Sequence, residues 1–161
     1  MMPARFQLFI LAASIALLGA CPPSPLRSRR RPSPPRPPNP DVTPETIDTT
    51  ICVPGYTASV RPSTTYTNGV KAKLLRESAQ PLVDAKLYEL DHVIPLGLGG
   101  HPRNLRNLTL EVWEGEGGAK KKDRLESRLQ RLVCGRYVGL RDAQAQIYGA
   151  WRAAYRVYVG D

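Results

Sequence analysis

Both histidines of this 161-residue chain lie in one stretch, "LDHVIPLGLGGHPRNLRNLTL", residues 90–110. Asp91 directly precedes His92, and Asn104 and Asn107 follow twelve and fifteen residues after that histidine. A carboxylate can hold a hard divalent cation, and an imidazole with an ordinary pKa of about 6.5 can take a proton from water. Together they suit hydrolysis of a phosphodiester, where a cation offsets charge building on the phosphate oxygens. On a strand, side chains alternate, so Glu89 and Asp91 share one face while Leu90 and His92 share the other. Twist at the strand's end and the turn forced by Pro95 are expected to bring Asp91 and His92 to one cleft. A histidine beside an acid is also a common structural, hydrogen-bonded residue. His101, in "GGHPRN", reads as a surface residue.

The elements around this stretch point to an α+β domain. "KLYELDHVIP" has strand character closed by Pro95. "TTICVPGYTASVRP", residues 49–62, suggests extended segments around the Pro54-Gly55 turn. "TYTNGVKAKLLRES" predicts a short helix with Thr67 as its N-cap and Val70, Leu74 and Leu75 on one face. The clearest helix is "GGAKKKDRLESRLQRLVCG". Leu125, Leu129, Leu132 and Val133 form its apolar stripe, and Gly135 stands where a C-terminal cap belongs. A last helix spans roughly residues 140–158, with Ala143, Ile147, Ala150, Trp151, Ala154, Tyr155 and Tyr158 on one side. That aromatic stripe reads as core packing.

Upstream the composition changes. Residues 8–20 are an apolar and small-residue run after Arg5, too short for a membrane span and suited to a signal peptide. Its end, "LLGAC", resembles a bacterial lipobox, which implies cleavage before Cys21 and lipid attachment to its sulfur; an ordinary secretory signal is the alternative. Ten of the sixteen prolines and five arginines fall between Pro22 and Pro44, a composition that cannot bury a core. The domains expected are a signal peptide at 1–20, a lipidated Cys21 with a disordered Pro/Arg-rich tether at 21–45, and a folded domain at 46–161. Export leaves Cys52 and Cys134 as an even pair in an oxidising compartment, which favours a disulfide over two buried thiols.

The chain carries a net charge of +9. Residues 46–161 hold 17 Lys and Arg against 12 Asp and Glu, a net +5 that is compatible with a polyanionic partner without requiring one. Lys120, Lys121 and Lys122 lie beside the proposed cleft, where they can meet phosphates, although a solvated helix face gives the same run. At a helix N-terminus they oppose the macrodipole, a small cost that hints at another use. No serine sits in a nucleophile-elbow motif, so a serine hydrolase is not expected.

"LDHVIPLGLGG" followed by "RNL" resembles the HNH nuclease motif, whose fold is two antiparallel strands and a helix around one metal ion (ββα-metal). The resemblance implies Asp91 as metal ligand, His92 as general base, and Asn107, with Asn104 ranked second, as the asparagine that ties the loop and orients His92. The blocks "TICVPGYTASVRP", "YELDHVIPLGLGG", "NL", "KDRLESRLQRLVCG" and "AQAQIYGAWRAAYRVY" are also similar, in order, to a group of exported bacterial HNH-like proteins. The departure lies at the third HNH position, since no His or Asn occurs after Leu108. Lys122 matches the lysine that often follows that position. Asp123 or Glu126 on the helix, or Glu114 and Glu116 in the preceding loop, are left as oxygen donors, with Glu116 and Asp123 preferred, a set suited to Mg²⁺, with Mn²⁺, Ca²⁺ or Zn²⁺ as alternatives. The function implied is a metal-dependent, non-specific phosphodiester endonuclease of the bacterial cell envelope. Its partners would be DNA or RNA and, through Cys21, a membrane; no small-molecule cofactor and a monomeric state are expected. The alternative is a non-catalytic envelope lipoprotein whose degenerate HNH scaffold binds nucleic acid or another polyanion.

Overall fold

A computed structural model describes residues 38–160. The signal peptide, Cys21 and most of the tether lie outside them. The described residues form an α+β fold with a two-stranded antiparallel sheet and four α-helices: α1 (Tyr56–Val60), α2 (Thr64–Glu77), β1 (Tyr88–His92), β2 (Leu108–Val112), α3 (Ala119–Cys134) and α4 (Leu140–Tyr158). None of the described helices is long and apolar enough to cross a membrane.

The two strands pair from Tyr88↔Val112 to His92↔Leu108, which places Glu89 opposite Glu111 and Asp91 opposite Thr109. Fifteen residues of loop separate His92 from Leu108, so the sheet is a hairpin with a long insertion. Helices α3 and α4 pack on each other through the stripes expected from their periodicity: Leu125, Leu129 and Val133 on one, Ala143, Ile147 and Tyr155 on the other are buried. Ala150 departs from its expected place on the stripe and is exposed. The helix breaks there (φ −157°, ψ 59°), directly after Gly149, and the stripe resumes at Trp151.

Three further expectations change. The segment after Thr49 is not two extended pieces; Gly55, at φ 84°, turns the chain into α1. Helix α2 starts earlier than Thr67, at Thr64, because Ser63 is its cap and the Ser63 hydroxyl accepts from the Tyr66 N–H at 3.4 Å. The folded body begins before residue 46. Pro38 bridges to Gly100, the Asn39 N–H donates to the Gly99 carbonyl at 2.8 Å, and Val42 is buried in the main core. One apolar residue among prolines is too weak a signal for composition to register.

Cys52 and Cys134 form a disulfide across a sequence separation of 82 residues, tying the segment before α1 to the end of α3. Closing so long a loop removes chain entropy worth about 4 kcal/mol, an upper figure. Cys52→Ser, Cys134→Ser and the double variant should therefore each lose about 2–4 kcal/mol in urea unfolding, the double no more than either single. Equal stability of oxidised wild type and double variant would contradict this.

Candidate functional site

The loop between the strands is held from inside by Asn107, whose side chain is fully buried. Its Oδ1 accepts from the Ile94 N–H at 2.9 Å, and its Nδ2 donates to the carbonyls of Ile94 at 3.0 Å and His101 at 3.1 Å. The amide thus satisfies both ends of the excursion at once. The glycine pair of the motif makes that possible. Gly99 adopts φ +75°, and a Cβ on Gly100 would lie 1.7 Å from the Ile94 carbonyl oxygen. Gln144 of α4 adds support by donating to the Leu98 carbonyl at 2.8 Å, while Gln130 of α3 donates to the Ile51 carbonyl ahead of α1 at 2.7 Å. Asn104, the second-ranked asparagine, caps a short turn by accepting from the Arg106 N–H at 2.9 Å. His101 also has a structural job that the sequence did not suggest: its Nδ1 accepts from the N–H groups of Arg103 and Asn104, at 3.2 and 3.1 Å.

His92 ends β1 and is 7% exposed. Its Nε2 lies 3.0 Å from the Pro102 carbonyl oxygen. A carbonyl only accepts, so Nε2 carries the proton and the neutral ring keeps its lone pair on Nδ1. Burial holds the His92 pKa below the ordinary histidine value, and the charges of Arg61 and Lys122 act in the same direction; the bond to Pro102 and the charge of Asp91 oppose them. The ring is therefore neutral at physiological pH.

Asp91, 8% exposed, faces the other way. Its Oδ1 accepts from the His92 N–H at 2.6 Å, and its Oδ2 meets the Lys122 ammonium at 2.5 Å. Lys122 also donates to the His92 carbonyl at 2.7 Å and to Glu126 Oε1 at 3.2 Å. Burial works to lower the Lys122 pKa, but the charges and hydrogen bonds of Asp91 and Glu126 outweigh it, and the net shift is upward.

Lys122 is thus not a surface lysine waiting for phosphate: at 2% exposure it is spent on the protein's own oxygens. Lys120 and Lys121 do reach the surface, where they pair with Glu114 and Glu116. The Lys121 ammonium also lies 5.5 Å from the centre of the Tyr155 ring. Glu116 does not come to Asp91, since its side chain is 99% exposed and bound to Lys121. Asp123 is near enough for the Asp91 charge to help raise its pKa, behind the larger effect of its own burial. Among the described residues no group of three or more His, Cys, Asp or Glu is arranged to hold a metal ion. The donor set does not fit a divalent ion as it stands, because Asp91 Oδ1 is engaged by the His92 N–H and the Lys122 ammonium lies between Asp91 Oδ2 and Glu126.

The acids that the sequence had not assigned a role are Glu89 and Glu111. They stand opposite each other on the Asp91 face of the sheet, a like-charged cross-strand pair. Burial, then the negative charges of Asp91 and Asp123, push Glu89 up to about 7. Its Oε2 is buried without a hydrogen-bond partner. Only the strand register reveals the pairing, although the position of Glu89 two residues before Asp91 put both on one face.

Comparison with known protein families, with curated proteins and with solved structures finds no match.

Because Glu89 is more basic folded than unfolded, its contribution to stability is full below about pH 4.5 and is lost as pH rises through about 7. Glu89→Gln should therefore stabilise the protein at pH 8 by about 1 kcal/mol, after allowance for partial exposure, and change little at pH 4. Thermal unfolding at the two pH values reads this directly. A gain of equal size at both would rule out titration as the cause.

Proposed function

We propose that this chain is a ββα, HNH-type protein of the bacterial envelope that cleaves phosphodiester bonds of nucleic acid without sequence preference. The observation that carries the reading is the state of His92. It is held at the end of β1 in the tautomer that leaves Nδ1 free to accept a proton, beside Asp91 and under a loop tied by Asn107. That is what a general base for activating water requires. The divalent ion of this reading, Mg²⁺ by the preference of oxygen donors, would have to displace Lys122 to reach Asp91 and Glu126. Export and a lipid anchor on Cys21 complete the reading.

Supercoiled plasmid and single-stranded RNA incubated with the oxidised full chain, in Mg²⁺, Mn²⁺, Ca²⁺ or Zn²⁺ and in EDTA, test it. Cleavage should fall at least about 100-fold in His92→Ala. Its acid limb should lie below about pH 6.5, because the His92 pKa is lowered. Binding without cutting, unchanged in His92→Ala, would replace this reading with the second one.

The second reading is a non-catalytic scaffold that binds a polyanion. It is favoured by the outer face of α3, where Arg124, Arg128 and Arg131 line one groove of about 580 Å³ together with Ser127. Their spacing of four and three residues sets three guanidinium groups in a row along the helix. A phosphate chain is the natural complement to such a row. Exchanging all three for glutamine should weaken DNA binding uniformly across sequences and flatten the salt dependence by up to about three in log–log slope. An unchanged slope would show that the groove plays no part in binding.

A further inference from the structure

We infer that Lys122 is the resident cation of this site: its ammonium fills the position among Asp91, the His92 carbonyl and Glu126 that a divalent ion would take. The inference rests on the ββα geometry but not on cleavage, so a chain that never cuts nucleic acid can still satisfy it.

A lysine ammonium has three protons to donate and accepts nothing. Here it meets three oxygens: Asp91 Oδ2 at 2.5 Å, the His92 carbonyl at 2.7 Å and Glu126 Oε1 at 3.2 Å. Two come from β1 and one from the next turn of α3, so the ammonium joins sheet and helix as a bound ion would. Nothing on Lys122 is left to offer a substrate.

At 2% exposure the lysine has surrendered its water, and Asp91 has nearly done so. Withdrawing the ammonium would leave a buried carboxylate without its partner, which is among the costlier single changes a fold can suffer. A dication entering beside it would add repulsion between like charges. One entering in its place must also draw the oxygens inward, since Mg²⁺ needs about 2.0–2.1 Å and Ca²⁺ about 2.3–2.6 Å to each donor. The ammonium needs no such rearrangement.

Lys122 lies in the first turn of α3, which holds no acidic residue and where a cation opposes the helix dipole. Lys120 and Lys121 answer this by turning to Glu114 and Glu116 at the surface. Lys122 alone turns inward, and the inward site is the one the HNH pattern reserves for the cation.

Thermal unfolding of the oxidised full chain in EDTA and in millimolar Mg²⁺, Mn²⁺ or Ca²⁺ is the first measurement. The midpoint should stay within about 1 °C throughout, because an ion that does not bind the folded state cannot stabilise it. A dose-dependent rise that vanishes in Asp91→Asn would overturn the inference and leave the proposed phosphodiesterase standing. The second measurement compares Lys122→Met with the double variant Asp91→Asn/Lys122→Met. The single change should lower the midpoint by about 10 °C or more, or prevent folding, and the double should recover most of that loss. A double variant no more stable than the single would also overturn it. The wild-type metal titration decides alone should both variants fail to fold.

Discussion

A carboxylate and an ammonium held 2.5 Å apart, on Asp91 and Lys122, join the first strand of the hairpin to α3, thirty-one residues further along the chain. The strand supplies an acid that water no longer reaches, and the helix supplies the charge that makes this burial tolerable. Much follows from the contact. It places the first turn of α3 over the end of β1, draws Glu126 in by one helical turn, and leaves the His92 carbonyl with a donor. It also divides the Asp-His pair: Asp91 is committed toward the helix, while the His92 ring turns to the loop and bonds Pro102.

That loop is the second support, and it is built differently. No charge is involved; one buried amide closes it, with Gly100 allowing the backbone to approach within reach. An amide suits this place because it both donates and accepts, and here it must satisfy a peptide N–H and two carbonyls together. The histidine is oriented indirectly. Asn107 fixes the path of the loop, the loop presents the Pro102 carbonyl, and that carbonyl selects the tautomer of His92.

Charge is sorted around this frame. The sheet face that carries Asp91 also carries Glu89 and Glu111, with Asp123 close by, and burial raises the pKa of each of these three neighbours. A polyanion is not drawn to such a face. The arginines of α3 lie along another groove, with Arg124 over the ring of Tyr155 at 5.7 Å and Arg128 and Arg131 beyond it. Asp123 borders this groove as well, so the acid cluster and the arginine row meet along one edge of α3.

Several features were legible in the amino-acid order alone. Spacing picked out Asp91, His92 and Asn107, apolar periodicity located α3 and α4, and an even cysteine pair behind a signal-like segment pointed to the bond between Cys52 and Cys134. These rest on local rules: side-chain alternation, helical repeat, and the few residue types that suit a tight loop. The start of the folded body was not legible, because Val42 is a single apolar residue among prolines whose burial depends on where Gly99 lies. Nor was the role of Lys122. In sequence Lys122 stands out from its neighbours by falling three residues before Leu125 on the apolar stripe, but no local rule names the carboxylate it meets. Only the docking of α3 against β1 does so, since a helix turns 100° per residue and can aim one of three neighbours at a buried carboxylate while the others face water.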